Sequence, residues 1–263
     1  MRIILAAILT LTLPGCVTNN MNTESSVNPA GYLFFENLYT DGDIISGKNI
    51  STFKELVFLR ETQIFWYDGR KITANGWNKS TFKVFVFTAK FLKGNDIKIR
   101  VNAEFKTKSK AQEQALKYAK LIGKLPNFLR TKNLKTLTIQ KGSGLWGGNN
   151  DIIIATEGGE GKYIEELLAH EAGHVTLDPN FGGSINIYKW NKAAKADNKF
   201  ISHYAKEFPK REDIGETIPW WIAVRCKSSG ISKQRKLMVL DAIPNRLKYL
   251  DEQKFDTYPL VCK

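Results

Sequence analysis

The sequence predicts an α+β fold in which a β-rich N-terminal part packs on a more helical part that carries the chemistry. Residues 30–105 contain apolar and alternating segments separated by turn signals, which is typical of strands. Residues 106–263 contain longer amphipathic segments with helical spacing. With 263 residues, of which 43% are apolar, the chain can build the core that one large or two small domains need.

The N-terminal residues 1–15 predict an export signal that is not part of the fold. Arg2 supplies a positive charge, and residues 3–13 form an apolar run that is too short for an ordinary membrane span. The run ends in L-P-G-C, which resembles a bacterial lipobox, so we expect Cys16 to carry a lipid that anchors the chain to the cell envelope. A plain secretory signal that is cut nearby is the alternative. Residues 16–29 are polar and predict a flexible tether.

The two remaining cysteines, Cys226 and Cys262, are an even pair in a chain that is expected to be exported. Such a pair predicts one disulfide, which would tie the C-terminal tail to the body of the protein. Two buried free thiols are the alternative.

The net charge of +13 comes largely from lysines that are spread along the chain rather than clustered. Nucleic-acid binding would need a concentrated basic stripe or a recognised module, and the sequence contains neither. We therefore expect no nucleic-acid partner, and a solvated basic surface with a weak attraction for anionic envelope surfaces.

Four segments predict the strands of the N-terminal part. Asp68 and Gly69 form a turn signal after the second of these segments. The third segment is apolar on both faces, whereas the fourth alternates and predicts a half-buried strand. Trp66 and Tyr67 are expected in the core, with the lining of a groove as the alternative. The segments are 56–59, 64–67, 82–87 and 97–102.

A helix and two further strands are predicted next. Thr107 can cap a helix that runs to about Ile122. Residues 134–140 and 151–156 predict strands, and the glycine-rich residues 141–150 between them predict a loop. The glycines lack the spacing of a phosphate-binding loop, so phosphate binding is not expected.

The following helix contains the motif H-E-x-x-H, formed by His170, Glu171 and His174. Residues four apart lie on one face of an α-helix, so both imidazoles can bind the same metal ion. Glu171 can hold a water beside that ion, and this is how zinc metalloproteases use two histidine ligands and a glutamate general base. A chance match is the alternative, but the chain has only three histidines and two of them are in the motif.

Gly173 lies inside this helix and costs about 1 kcal/mol relative to alanine. Its presence therefore predicts the close approach of another element behind the metal. The apolar residues at helical spacing form a face that can be buried. They are Ile164, Leu167, Leu168, Ala172 and Val175.

The third ligand must come from elsewhere, because a catalytic zinc usually takes three protein ligands and leaves one position for water. A metzincin would place a histidine where this chain has Asn180. Asp178 is four residues after His174, but Pro179 ends the helix there.

The better candidates are Glu212 and Glu216, which are four apart on a predicted helix and resemble the paired acids of thermolysin-like enzymes. The similarity implies that Glu212 is the third ligand and that Glu216 holds His170 in the right tautomer. The alternative is a solvated acidic start of a helix, which is the role expected for Asp213. Tyr204 lies just upstream, and its hydroxyl beside the zinc could stabilise the oxyanion of the tetrahedral intermediate.

The residues before the metal helix are candidates for substrate binding. In zinc peptidases the strand that precedes this helix commonly borders the cleft, and a peptide can pair with it through backbone hydrogen bonds. We therefore expect Trp146, Ile152, Ile153 and Ile154 to bind substrate. A simple core strand is the alternative.

Several motifs together resemble a poorly characterised family of bacterial secreted proteins classed as zinc metallopeptidases of the gluzincin type. The motifs are H-E-A-G-H-V-T-L-D, W-x-x-A-x-x-A-D-N-x-F-I-S-x-Y-A and P-x-R-E-D-I-G-E-T, with V-N-A-E-F, I-G-K-L-P-x-x-L-R, W-G-G-N-N-D-I-I-I-A-T and I-P-N-R-L-K-Y-L-D. The likeness covers most of residues 80–260. The order of H-E-x-x-H, a tyrosine and E-x-x-x-E along the chain is also distantly similar to that in the catalytic domain of anthrax lethal factor. This chain has Gly215 where alanine is commoner, and that change leaves the two carboxylates untouched.

The resemblance implies a zincin-like catalytic part at residues 106–263, preceded by the β-rich residues 30–105. It implies an exported zinc metallopeptidase, in which Zn²⁺ is held by His170, His174 and Glu212, with a peptide or protein as substrate. The alternatives are a non-catalytic envelope lipoprotein that binds metal and acts as a binding module, and a structural lipoprotein whose histidines match by coincidence.

Overall fold

The computed structural model of this protein describes residues 50–73, 76–156, 164–226 and 231–262. The predicted export signal, the lipidation site at Cys16 and the predicted tether lie outside the described residues. Within them the fold is α+β, as predicted, with one six-stranded mixed sheet and seven α-helices. None of the helices in these ranges is both long enough and apolar enough to cross a membrane.

The strands and helices are numbered in chain order. The strands are β1 (Phe53–Thr73), β2 (Gly76–Phe91), β3 (Ile97–Asn102), β4 (Thr136–Gln140), β5 (Ser143–Gly148) and β6 (Asp151–Thr156). The helices are α1 (Lys108–Ile122), α2 (Ile164–Thr176), α3 (Ile187–Asp197), α4 (His203–Glu207), α5 (Asp213–Arg225), α6 (Lys233–Ala242) and α7 (Pro244–Glu252).

The sheet has the strand order β1-β2-β3-β4-β6-β5. Strands β1, β2 and β3 are antiparallel neighbours, β3, β4 and β6 are parallel, and β5 runs antiparallel along β6. The parallel pairing of β3 with β4 places Ile99 opposite Leu137, and α1 forms the crossover between them. One sheet therefore continues across residue 105, where the sequence predicts the boundary between the two parts.

Helices α1 and α2 pack on the same face of the sheet and enclose the core. Helix α1 lies against β1, β2 and β3, and α2 lies against β5 and β6. Thr107 caps α1 by accepting a hydrogen bond from the backbone N–H of Lys110, as predicted. The predicted apolar face of α2 is buried together with sheet residues such as Ile99, Leu137 and Ile152. The core therefore fixes α2, which carries the two candidate histidine ligands.

Two sequence predictions about turns are wrong. Asp68 and Gly69 do not end a strand, because β1 continues from Phe53 to Thr73. The Asp68 carboxylate instead accepts hydrogen bonds from the backbone N–H and guanidinium of Arg70, next to a shift in the β1–β2 register. The glycine-rich segment 141–150 is not a loop either, since its residues 143–148 form β5.

The C-terminal helices are joined by a buried ionic network that the sequence analysis missed. Asp213 was expected to be a solvated helix-start residue, but it is only 2% exposed. Its Oδ2 accepts hydrogen bonds from Arg246 Nε at 2.9 Å and from Trp190 Nε1 at 2.9 Å. Arg246 Nη1 also donates to Asp197 Oδ2 at 3.0 Å. The network ties the first turn of α5 to α3 and α7.

Cys226 and Cys262 form a disulfide, as predicted, so the C-terminal tail is fastened to the end of α5. The two cysteines are 36 residues apart in the sequence. Replacing both with serine is expected to lower the free energy of unfolding by roughly 3–4 kcal/mol, because a loop of this length no longer restricts the unfolded chain. Urea denaturation of the double variant and of the oxidised parent measures the difference. An unchanged midpoint and slope would contradict the prediction.

Candidate metal centre

His170, His174 and Glu212 meet at one buried point, as the sequence predicts. The two Nε2 atoms are 3.0 Å apart. Glu212 Oε2 lies 3.1 Å from Nε2 of His174 and 3.4 Å from Nε2 of His170. One ligand atom from each residue lies within 4.8 Å of the others, and all three residues are buried. Two imidazole nitrogens and one carboxylate oxygen can therefore face the same ion.

Helix packing explains how ligands from two helices converge. Helix α2 supplies both histidines, and Glu212 lies at the N-terminal end of α5. A Cβ on Gly173 would lie 3.3 Å from Ile218 Cγ1 and 3.8 Å from Gly215 Cα. The close approach that Gly173 predicts is therefore confirmed, and the approaching element is α5.

Gly215 is needed by the imidazoles rather than by the carboxylates. A Cβ at this position would lie 2.6 Å from His174 Nε2 and 3.0 Å from His170 Cε1, so an alanine would displace the rings. The comparison of motifs indicates only that glycine at this position leaves the carboxylates untouched. The structure shows that α5 approaches the histidines more closely than an alanine would permit.

Each histidine has a carboxylate beside its second ring nitrogen. Glu216 Oε1 lies 3.2 Å from His170 Nδ1, which is the position predicted for it. Asp178 Oδ2 lies 3.6 Å from His174 Nδ1. From its spacing Asp178 is a candidate only as a ligand, and the sequence does not indicate this outer position. Asp178 lies two residues after the end of α2. Such carboxylates fix the orientation and tautomer of metal-binding histidines.

Glu171 is buried between the histidines and the strand β5. Its carboxylate accepts a backbone hydrogen bond from Gly147, and burial raises its pKa above the ordinary value although the neighbouring histidines act in the opposite direction. A Cβ on Gly147 would lie 2.3 Å from the carbonyl oxygen of Glu171, so only glycine lets β5 come this close to α2. A carboxylate with a raised pKa is suited to accept a proton near neutral pH.

Tyr204 lies at the site, but its hydroxyl contacts the candidate metal ligand Glu212. Tyr204 Oη donates to Glu212 Oε1 at 3.0 Å, and Arg211 Nε donates to the same oxygen at 2.7 Å. Arg211 was missed in the sequence analysis. The feature of the sequence that could have indicated its role is that Arg211 directly precedes Glu212 in the R-E-D segment.

The predicted substrate-binding strand β6 lies inside the sheet rather than at its edge. Ile152, Ile153 and Ile154 are buried in β6, which is hydrogen-bonded to β4 on one side and to β5 on the other. Their backbone therefore has no free edge for a peptide, and the prediction for these three residues is wrong. Trp146 lies in β5, which is one of the two edge strands of the described sheet; the other is β1. The edge beside the metal helix is therefore β5.

The donor set fits a zinc ion. Two neutral imidazoles and one carboxylate are the ligands of many catalytic zinc sites. Burial acts to lower the pKa of His170, but its contacts with Glu212 and Glu216 outweigh burial and hold that pKa well above the ordinary value. Burial acts to raise the pKa of Glu212, but the two histidines hold it well below its usual range. When no cation is bound, a proton on His170 therefore lies among the acceptor atoms of this cluster.

Zinc binding is expected to weaken as the pH falls. Zinc requires neutral imidazoles, so an ion must displace the proton held by His170, and the apparent affinity should fall about tenfold per pH unit for each proton displaced. Because the folded-state pKa of His170 is raised, its protonation stabilises the metal-free protein fully below pH about 6.5. This stabilisation is lost as the pH rises through the raised pKa.

Competition with a chelator at pH 6, 7 and 8 measures the change in zinc affinity. Calorimetry in two buffers of different ionisation enthalpy counts the protons released. An affinity that does not change over this range would contradict the prediction.

Comparison with known proteins does not identify a family for this chain. No family model, no curated protein and no solved structure matches it significantly. The assignment of function therefore depends on the geometry of the site.

Proposed function

We propose that this protein is an exported zinc-dependent metallopeptidase of the gluzincin type, with a zincin-like catalytic part. The observation that carries the proposal is the joint placement of His170, His174 and Glu212 around one point, with Glu171 on the same helix. A site that only stored or buffered metal would not need the buried Glu171 carboxylate beside its ligands.

The ligand residues and Glu171 have separate tasks in the proposed reaction. A bound zinc ion would supply a water of lowered pKa and polarise the scissile carbonyl. Glu171 would accept a proton from the water that attacks the carbonyl carbon and would deliver a proton to the leaving amine. Glu216 keeps the imidazole of His170 oriented, and the Asp178 carboxylate lies 3.6 Å from Nδ1 of His174.

Strand β5 is the proposed binding edge for an extended peptide. Its inner side pairs with β6, and no described strand pairs with its outer side. Gly147 brings the backbone of this edge next to α2, where Glu171 lies. A peptide that adds to β5 through backbone hydrogen bonds would lie beside the metal centre. This mode of binding favours peptides and proteins as the substrate class.

Export and membrane anchoring are part of the proposal. The apolar run and the L-P-G-C sequence that ends at Cys16 support a lipid anchor in a bacterial envelope, facing the periplasm or the surface. The disulfide between Cys226 and Cys262 also supports an oxidising compartment.

A combined measurement of metal content and hydrolysis tests the proposed function. Protein spanning residues 17–263 is expected to hold about one zinc per chain and to cleave members of a mixed peptide library. Cleavage should stop with a chelator and return with added zinc. Zinc without cleavage of any peptide would replace this proposal with a metal-binding lipoprotein that acts as a binding module. No zinc after reconstitution would remove the enzyme altogether.

A further inference from the structure

The two oxygens of Glu212 face different partners. Oε2 faces the ring nitrogens of His174 and His170, at 3.1 Å and 3.4 Å. Oε1 is turned away from them and accepts hydrogen bonds from Tyr204 Oη at 3.0 Å and from Arg211 Nε at 2.7 Å. The carboxylate thus has one oxygen directed at the metal position and one oxygen held by neighbours.

We propose that Tyr204 and Arg211 are positioning residues that hold Glu212 as a metal ligand through a single oxygen. In this role Tyr204 does not act as the oxyanion-stabilising group that the sequence suggests. A tyrosine hydroxyl has one proton to donate, and here that proton is directed at Oε1 of Glu212. Stabilisation of an oxyanion by the same proton would require the contact with Glu212 to break.

The short segment 203–212 explains how the two partners are kept in place. Ser202 caps α4 and Phe208 follows its end, so Tyr204 and Phe208 lie one turn apart with ring centroids 5.3 Å apart. The Arg211 guanidinium lies 4.8 Å from the centroid of the Phe208 ring, and its Nη2 donates to Tyr204 Oη at 3.1 Å. The backbone N–H of Glu212 donates to the Phe208 carbonyl at 2.8 Å. Tyr204, Arg211 and Glu212 are therefore fixed relative to one another.

Charge explains why an arginine is suited to this position. Arg211 lies beside a carboxylate whose side chain is only 8% exposed, whereas the arginine side chain is 45% exposed. A charge-assisted hydrogen bond to Oε1 satisfies the oxygen that a single-oxygen ligand leaves unused. Without it, Glu212 could rotate to offer both oxygens to the ion, which would change the coordination number.

The proposal depends on the metal site and not on the proposed peptidase activity. Its test therefore uses binding and spectroscopy. Zinc affinity is measured by competition with a chromophoric chelator, and the absorption spectrum of the cobalt-substituted protein reports the coordination geometry. The variants are Tyr204→Phe, Arg211→Met and Arg211→Lys. The matched controls are Tyr188→Phe, at an exposed tyrosine of α3, and Arg225→Met, at an arginine paired with Asp251.

Tyr204→Phe and Arg211→Met are each expected to weaken zinc binding roughly 10–100-fold, the loss typical of removing an outer partner. Both should also change the cobalt spectrum towards higher coordination. Arg211→Lys should recover part of the affinity, because it retains the charge with a single donor group. The two controls should bind zinc like the parent. Thermal unfolding of each metal-free variant shows whether it is folded.

Zinc affinity and a cobalt spectrum that stay like the parent's in both Tyr204→Phe and Arg211→Met would overturn the proposal. A loss of hydrolysis in Tyr204→Phe with unchanged zinc binding would do the same, since it would assign the hydroxyl to the oxyanion. If the parent binds zinc but cleaves nothing, the proposed function fails while the effects of these variants on zinc binding still decide the positioning roles.

Discussion

Glu171→Gln is expected to leave zinc binding intact and to reduce peptide hydrolysis by roughly 10²–10⁴-fold, the contribution of a general base. The substitution keeps the size of the side chain and its capacity to accept the hydrogen bond from Gly147. It removes the group that takes the proton from the attacking water. Turnover of a cleaved library peptide, measured beside zinc content, separates the two effects.

Glu207→Gln is the matched control for this substitution, because Glu207 is an exposed glutamate on α4. It should leave both zinc content and turnover unchanged. Hydrolysis by Glu171→Gln at the rate of the parent would sink the role assigned to Glu171. A loss of zinc in the same variant would show that Glu171 has a structural part in the metal site.

Glu212→Ala is expected to weaken zinc binding roughly 10³-fold. Zinc sites with protein ligands bind with apparent free energies of about 10–16 kcal/mol, so the loss of one ligand of three corresponds to about 4 kcal/mol, or roughly 10³-fold in affinity. The variant also leaves His170 and His174 buried without the carboxylate that faces both rings. Mass spectrometry of the metal content and chelator competition measure the loss.

Glu216→Ala provides the graded comparison for that experiment. It removes the partner of His170 Nδ1 but no ligand, so a loss of roughly 10–100-fold in zinc affinity is expected. Equal affinities of Glu212→Ala and the parent would exclude Glu212 as a ligand. A larger loss of zinc affinity in Glu216→Ala than in Glu212→Ala would mean that Glu216 is the ligand and Glu212 the outer partner.

The residues predicted best are those whose geometry is set within one helix. His170 and His174 must share a face once α2 forms, and Glu216 follows Glu212 by one turn in the same way. Gly173 was also informative, because a glycine in a helix interior has an energetic cost that needs a local reason. These patterns can be read without knowing how the helices pack.

The residues missed are those whose partners are distant in the sequence. An aspartate in the first turn of a helix is ordinarily solvated, so nothing near Asp213 indicated that Arg246, which is 33 residues away, would neutralise it. Strand β5 was missed because glycine has a low strand propensity. The close contact with α2 requires a glycine at position 147. The segment forms a strand because its backbone pairs with β6, not because of its own propensity.

Both ends of α5 are fastened by residues that come late in the chain. Asp213 at its start binds Arg246, and Cys226 after its end is bonded to Cys262. During synthesis the histidines of α2 therefore become available long before the helix that begins beside Glu212 can be secured. We expect a chain that is stopped before residue 246 to hold α5 less firmly and to release zinc more readily than the full chain, as chelator competition would measure. Firm metal binding should thus report that both ends of α5 have been fastened.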